Sequence, residues 1–223
     1  LLKYDKNGVD KEINESVEKS AKIFAGLGYE ISEIELPHIK YSVPCYYVLV
    51  PAEVSSNLAR FDGIRYGLFQ EGKNLTEDYM KTRKDGFGLE TRRRIMLGTY
   101  VLSAGYYDAY YAKAQKIREL IRKDFELVFD LKSGSVDAII SPTSPSVAFK
   151  LGEKANDPLK MYLEDIFTAS AKMAGLPAIS IPSGVDSSGL PVGLQIIAPR
   201  FGENLLFELG KKYEHSSSRS PMA

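Results

Sequence analysis

Three consecutive arginines, Arg92, Arg93 and Arg94, run straight into the apolar segment IMLGTYVL. A guanidinium offers carboxylates a rigid fork of donors, so one of the three could clamp an α-carboxylate. A carboxylate such as Asp165, in MYLEDIF, could meet the α-ammonium of the same ligand. Sequence order does not say whether the two meet in space, and on composition alone each reads first as a surface salt bridge. The remaining candidates are weaker. His38 follows Pro37 in a loop and His215 lies near the end, so neither is placed as a base. Cys45, between Pro44 and Tyr46, reads as packing rather than a thiolate. Serines are plentiful but none sits in GxSxG, and IPSG at 181–184 lacks the elbow pattern. There is no Walker loop, no GxGxxG and no Cys/His cluster at zinc spacing. The residues alone therefore offer a binding pair, no complete catalytic set and no metal site.

The elements that must position these residues centre on Gly86 to Ile121. Tyr106, Tyr107, Tyr110 and Tyr111 recur at one-turn spacing, followed by Ile117, Ile121, Phe125 and Val128. The spacing predicts one long helix with a buried face, and Lys113, Lys116, Arg118, Glu119 and Arg122 mostly fill the other face. Upstream, Lys11 to Ala25 reads as an amphipathic helix that Gly26 and Gly28 stop, and YEISEIEL (29–36) alternates as a half-buried strand does. The strand that should precede that helix is missing, since the chain opens at LLKYDKNGVD. This is the pattern expected of a polypeptide cut inside a domain, a short natural start being the alternative.

Pro37 and Pro44 bracket a loop, and within the following YYVLVPAEVSSNLAR (46–60) Pro51 fits the first turn of a helix that continues through Glu53, Val54 and Leu58. RFDGIRYG (60–67) reads as a turn with local ion pairs, and 68–85 as a surface excursion with a short helix near Thr76 to Thr82. LKSGS (131–135) makes a turn, and VDAII (136–140) a strand that the prolines of SPTSPS end. From Asp157-Pro158 a helix is expected through Met161, Asp165 and Ala169 to a stop at Gly175. AISIP (178–182) and VGLQIIA (192–198) read as adjacent strands of a buried sheet. Leu205, Leu206, Leu209 and Tyr213 mark a last helix, and 215–223 reads as a disordered tail.

Bulk properties set outer limits. Lys plus Arg and Asp plus Glu both number 29, so the chain has no net charge to draw it to nucleic acid non-specifically. A single cysteine excludes an internal disulfide, and with no signal peptide in view a cytoplasmic protein is expected. No apolar run approaches the length of a membrane span.

Five blocks together carry a family resemblance: YYVLVPAEVSSNLARFDGIRYG, GFGLETRRRIMLGTYVLSAGYYDAYYAKAQKIR, DAIISPTSP, AGLPAISIPSG and GLPVGLQIIA. The chain resembles the amidase-signature family over about Gly8 to Glu214. Within that family, RFDGIRYG and the Arg-run block are similar to the A subunits of tRNA-dependent amidotransferases. The resemblance implies an α/β fold, a mixed β-sheet core flanked by helices on both faces, of which residues 1–214 form the C-terminal portion of a single domain. It also implies glutaminase chemistry. A serine attacks the glutamine amide, assisted by a second serine in a cis peptide and by a lysine. The released ammonia then amidates misacylated Glu-tRNA(Gln), and often Asp-tRNA(Asn).

The Gly/Ser-rich segment that carries this triad belongs to the family's first half and is absent here, so no catalytic residue is carried over. Substrate-binding residues are. Arg94 matches the α-carboxylate-binding arginine, Asp165 the acidic residue that contacts the amino group, and Tyr46 a residue lining the glutamine pocket near the ammonia exit. Arg92 and Arg93 remain solvent-facing or ion-paired. The implied partners are subunits B and C, with glutamine and, through the complex, misacylated tRNA. ATP and Mg belong to a partner in that complex, and no cofactor belongs to this chain. Where the first half is missing, apolar surface and an unpaired edge are expected, inviting self-association. Two other readings stay open: a fragment of a stand-alone amidase, and a non-catalytic remnant that binds a partner.

Overall fold

The computed structural model describes residues 1–130, 136–154 and 157–217. These fall into two compact units, one of residues 1–43 with 118–217 and the other of residues 44–117. The turn expected at LKSGS and the tail beyond Ser217 lie outside the described residues.

The first unit is built on a three-stranded sheet in the order β1-β3-β2, with β1 Ile139–Pro142, β2 Ala178–Val185 and β3 Pro191–Ile197. Both pairings are antiparallel, with Ile140 opposite Ile196 and Ile181 opposite Leu194. On one face, Ile140, Ile181, Leu194 and Ile196 meet Val17, Ala21 and Phe24 of α1 (Lys11–Gly26) and Leu206, Leu209 and Tyr213 of α8 (Glu203–Ser217). The period of 2 in the strands and of 3.6 in the helices deliver these side chains to a single core. Tyr213 and Ser20 share a buried hydroxyl pair at 2.8 Å inside it. The other face carries Gln195 and Ile197 from the middle strand, both buried. There Gln195 Nε2 donates to Ser141 Oγ at 3.0 Å and to the Phe167 carbonyl at 3.2 Å.

Four sequence expectations need correction in this unit. Residues 29–36 form no strand; they make one parallel bridge, Leu2 to Ile34, in which the Lys3 N–H donates to the Ile34 carbonyl at 2.9 Å and the Ile34 N–H to the Leu1 carbonyl at 3.0 Å. Proline does not end β1: Ser141 and Pro142 continue it opposite Gln195 and Leu194, and an edge strand accommodates a residue without an N–H. The helix expected from Asp157 to Gly175 is two, α6 Pro158–Leu163 and α7 Thr168–Ala174, separated by a turn of successive i to i−3 hydrogen bonds. Gly175 does stop α7, in the left-handed conformation. Finally, the hairpin forms as expected but β2 is not buried along its length; as an edge strand it buries Ile181 alone.

The second unit is helical. It holds α3 Leu75–Gly86, α4 Leu89–Leu102 and most of α2, which spans Ser42–Leu58. Pro51 is therefore not in a first turn but mid-helix and fully buried. A Cβ on Gly98 of α4 would sit 1.9 Å from the Pro51 carbonyl oxygen, so the two backbones touch where α4 has no side chain.

The long tyrosine helix expected at the centre is also interrupted. After α4 the chain turns at Ser103 to Tyr106, makes a π-helical turn Tyr107–Ala112 and resumes as α5, Lys113–Phe129. The extra residue per turn shifts the tyrosines off the helical stripe. Tyr106, Tyr107 and Tyr110 are 39–46% exposed, whereas Ile121 and Phe125, further along, are buried.

Candidate functional site

Arg94 lies in the second unit, on α4 one turn before Gly98. Its partner ring, Tyr47, lies on α2 one turn before Pro51. The close approach of the two backbones thus carries the guanidinium to Tyr47, with Cζ 5.4 Å from the ring centroid. The neighbouring Tyr46 ring stands edge-on to Tyr47 at 5.1 Å and its side chain hydrogen-bonds Arg94. Glu90, one turn earlier on α4, accepts from Arg94 Nε at 2.9 Å and also takes Arg93. Burial is the largest single influence on Arg94 and opposes its charge; the hydrogen bonds to Glu90 and Tyr46 more than offset it, and its pKa is raised. With only 24% of its side chain exposed, Arg94 is a fixed cation, permanently charged and restrained on two sides. Such a group can hold a carboxylate without first being ordered. Arg92, by contrast, is exposed.

Asp165 lies in the first unit, in the turn between α6 and α7. It faces a concavity of about 350 Å³ whose wall also includes Thr143, Ser144, Phe149, Glu164 and Thr168. The turn is held by Asp165 itself: its carbonyl accepts from the Ala169 N–H at 2.9 Å, and its carboxylate receives a long contact from Thr168 Oγ1. Glu164 beside it is differently employed. It pairs with Lys154 and accepts from Ser146 Oγ at 2.9 Å and Ser144 Oγ at 3.2 Å. Lys154 Nζ in turn stands 4.3 Å over the Phe149 ring. Two adjacent carboxylates therefore have separate tasks: Glu164 ties segment 144–154 to the turn, and Asp165 looks into the concavity.

The three residues expected at a site are thus distributed. Tyr46 and Arg94 come together in one unit, and Asp165 has its own pocket in the other. Among the other candidates, Cys45 is buried and donates to the Ala114 carbonyl, as packing predicts. His38 proves to be clamped by the buried Asp124, whose carboxylate accepts from the His38 backbone N–H at 2.7 Å and lies 2.9 Å from its Nδ1.

The sequence profile of the amidase family matches residues 2–207. The chain belongs to that family. Among relatives of the chain, the A subunit of the Glu-tRNA(Gln) amidotransferase of Bradyrhizobium diazoefficiens is 53% identical over 217 residues. That match covers 97% of the chain and 44% of the relative. The corresponding protein of Thermodesulfovibrio yellowstonii is 55% identical over 210 residues, 94% of the chain and 43% of the relative. The crystal structure of its Thermotoga maritima counterpart matches with a TM-score of 0.68 at 42% identity, over 96% of the chain and 40% of that structure. The chain therefore spans less than half the length of the relatives it matches.

Sequence reasoning missed two carboxylates. Glu90 was findable, because it stands three and four residues before Arg93 and Arg94 on a predicted helix, where opposite charges pair. The link from Glu164 to Lys154 carries no such signal, since the intervening chain is not regular helix or strand throughout.

Proposed function

We propose that this chain is the C-terminal part of the glutamine-hydrolysing subunit of a tRNA-dependent amidotransferase. In this reading it contributes substrate recognition, with nucleophile, assisting serine and lysine on the remainder of a longer protein. Arg94, backed by Tyr46, takes the α-carboxylate of glutamine, and Asp165 takes its α-ammonium. Its partners are subunits B and C of the complex, and the released ammonia passes to a partner subunit that amidates misacylated tRNA.

The observation that carries this reading is the state of Arg94. A half-buried guanidinium, locked by Glu90 and Tyr46 and seated on Tyr47, is organised beyond what a surface salt bridge needs. The identity to amidotransferase A subunits supports the same substrate class. Glutamine is a zwitterion, so a selective site needs a fixed cation for its carboxylate, and Arg94 is such a cation.

The test is Arg94→Ala in the full-length protein, in complex with its partners. Losing one member of a buried charge pair with a ligand costs about 2–5 kcal/mol, so the Michaelis constant for glutamine should rise at least about thirtyfold. An unchanged constant removes Arg94 from the site. The 223-residue chain alone should release no ammonia from glutamine above a heat-treated control.

A further inference from the structure

The concavity beside Asp165 has one wall that is neither helix nor strand. Thr143, Ser144, Ser146, Val147, Ala148 and Phe149 supply it, and the chain then runs on irregularly to Lys154. The root of this wall is fixed by backbone bonds. The Thr143 N–H donates to the Gly193 carbonyl at 3.1 Å, and the Pro145 carbonyl accepts from the Asp10 N–H at 2.9 Å. Further on, the segment bonds to itself. The Glu153 N–H closes a tight turn on the Lys150 carbonyl at 3.1 Å, and the Lys150 N–H donates to the Glu153 carboxylate at 3.0 Å. Gly152, at φ 84°, takes the left-handed position in that turn, which glycine adopts without strain.

Among the described residues, every hydrogen bond that a side chain of 144–154 makes outside the segment ends on one group, the Glu164 carboxylate. It accepts from Ser144 Oγ at 3.2 Å and Ser146 Oγ at 2.9 Å and pairs with Lys154 Nζ. The side chains of Lys154 and Glu164 are only 15% and 20% exposed, so salt screens this pair less than a surface one. Glu164 and Asp165 are consecutive in a turn of i to i−3 bonds, where successive side chains fan out by about a third of a turn. One carboxylate is thus spent on the wall while its neighbour is left to the concavity.

We propose that Glu164 is a positioning residue for the Asp165 site, its carboxylate latching segment 144–154 as the wall beside which Asp165 holds an ammonium group. The inference rests on the reading that Asp165 takes the α-ammonium of glutamine, and it adds what keeps that site shaped. Glu164 touches no substrate in this account. Without its charge, residues 146–154 keep their own turn and the backbone bond from the Asp157 N–H to the Lys154 carbonyl, but lose the tie across the segment. A latch whose loss cuts the walled population to about one fifth weakens apparent binding about fivefold. Substrate once bound reacts as before, because the bond-breaking groups of this reading lie elsewhere.

The experiment uses the full-length protein in complex with its partners. Hydrogen–deuterium exchange reads the wall, and steady-state glutaminase assays read the site. Glu164→Gln should speed exchange in peptides covering 146–154 and raise the glutamine KM, each by at least about fivefold, with kcat held within about twofold. Ser146→Ala removes one bond and leaves every charge in place, so it should move both readouts the same way by less; it keeps the test alive if Glu164→Gln does not fold. Lys160→Met, in an exposed ion pair on α6, should move neither. Asp165→Asn separates the latch from the reading beneath it. If Asp165→Asn raises KM and folded Glu164→Gln does not, the latch is refuted while the role of Asp165 stands. If neither raises KM, the reading of Asp165 fails and the latch with it. Faster exchange with an unchanged KM also overturns the proposal, since the tie is then only structural, and unchanged exchange does so because something other than Glu164 holds the wall.

Discussion

Replacing Gly98 with alanine tests how the Arg94 site is held. The added methyl would lie 1.9 Å from the Pro51 carbonyl oxygen, 2.4 Å from its carbon and 2.9 Å from the Ala52 nitrogen. All three are backbone atoms of α2, so no side chain can swing aside. To reach ordinary contact the helices must part locally by roughly 1.5 Å, and overpacking of this kind typically costs about 1–3 kcal/mol. Alanine also returns helix propensity worth up to about 1 kcal/mol. Since the clash is with rigid backbone, the upper end of the range applies, and a net loss of about 2 kcal/mol is expected. With a urea dependence of about 2 kcal/mol per molar, the unfolding midpoint falls by about 1 M. Gly26→Ala is the control, because a Cβ there meets nothing within 4 Å. Urea denaturation followed by circular dichroism should show Gly98→Ala clearly destabilised and Gly26→Ala unchanged or slightly stabilised. Equal midpoints for the two variants would refute the account. The same separation acts one turn away on the Arg94–Tyr47 contact, so in the full-length assembly Gly98→Ala should also raise the glutamine Michaelis constant.

Three further outcomes are expected. Ser20 already donates its hydroxyl to the Ser16 carbonyl, so Tyr213 donates to Ser20. Ser20→Ala then strands a buried phenol and should cost more in urea unfolding, about 2 kcal/mol, than Tyr213→Phe, at about 1 kcal/mol. Lys154→Met and Glu164→Gln should each cost about 1–2 kcal/mol, because the pair is mostly but not wholly buried. A double-mutant cycle between them should return a coupling of about 1 kcal/mol, and additivity would show the pair to be idle. Burial, with a smaller contribution from Glu18, pushes the Tyr4 phenol up to about 12. A raised phenol pKa favours the neutral form in the folded state but ionisation in the unfolded chain, so stability is whole below about pH 10 and falls as pH rises towards 12. The stability of the wild type relative to Tyr4→Phe should therefore decline between about pH 10 and 12; a constant difference would contradict the assignment.

Elements whose period and neighbours agree were legible in the sequence. Helix α1, helix α8 and the β2–β3 hairpin fall where apolar spacing puts them, because each buries its apolar face in a common core. The failures share a cause: the deciding partner was elsewhere in the chain. YEISEIEL alternates well, but a strand exists only with a long enough neighbour. Pro51 looked like a helix start, and the helix in fact begins upstream at Ser42; the contact its carbonyl makes with α4 depends on a glycine far along the chain, Gly98. The tyrosines kept a helical spacing that one π-turn dephased. At the candidate site, side-chain chemistry singled out the arginine run and Asp165, and the family resemblance narrowed the run to Arg94 and added Tyr46. Glu90 could have been added from helix spacing, whereas the Lys154–Glu164 tie could not.

The amide of Gln195 has a reach beyond the sheet that contains it. By bonding the Phe167 carbonyl from the middle strand, it anchors the α6–α7 turn, and with it Asp165, to the buried centre of the sheet. Volume and direction are thus separate demands at position 195. A leucine there could fill the space and leave the strands paired, yet it would release the turn, so the fold could survive a change that sets its acidic side chain adrift.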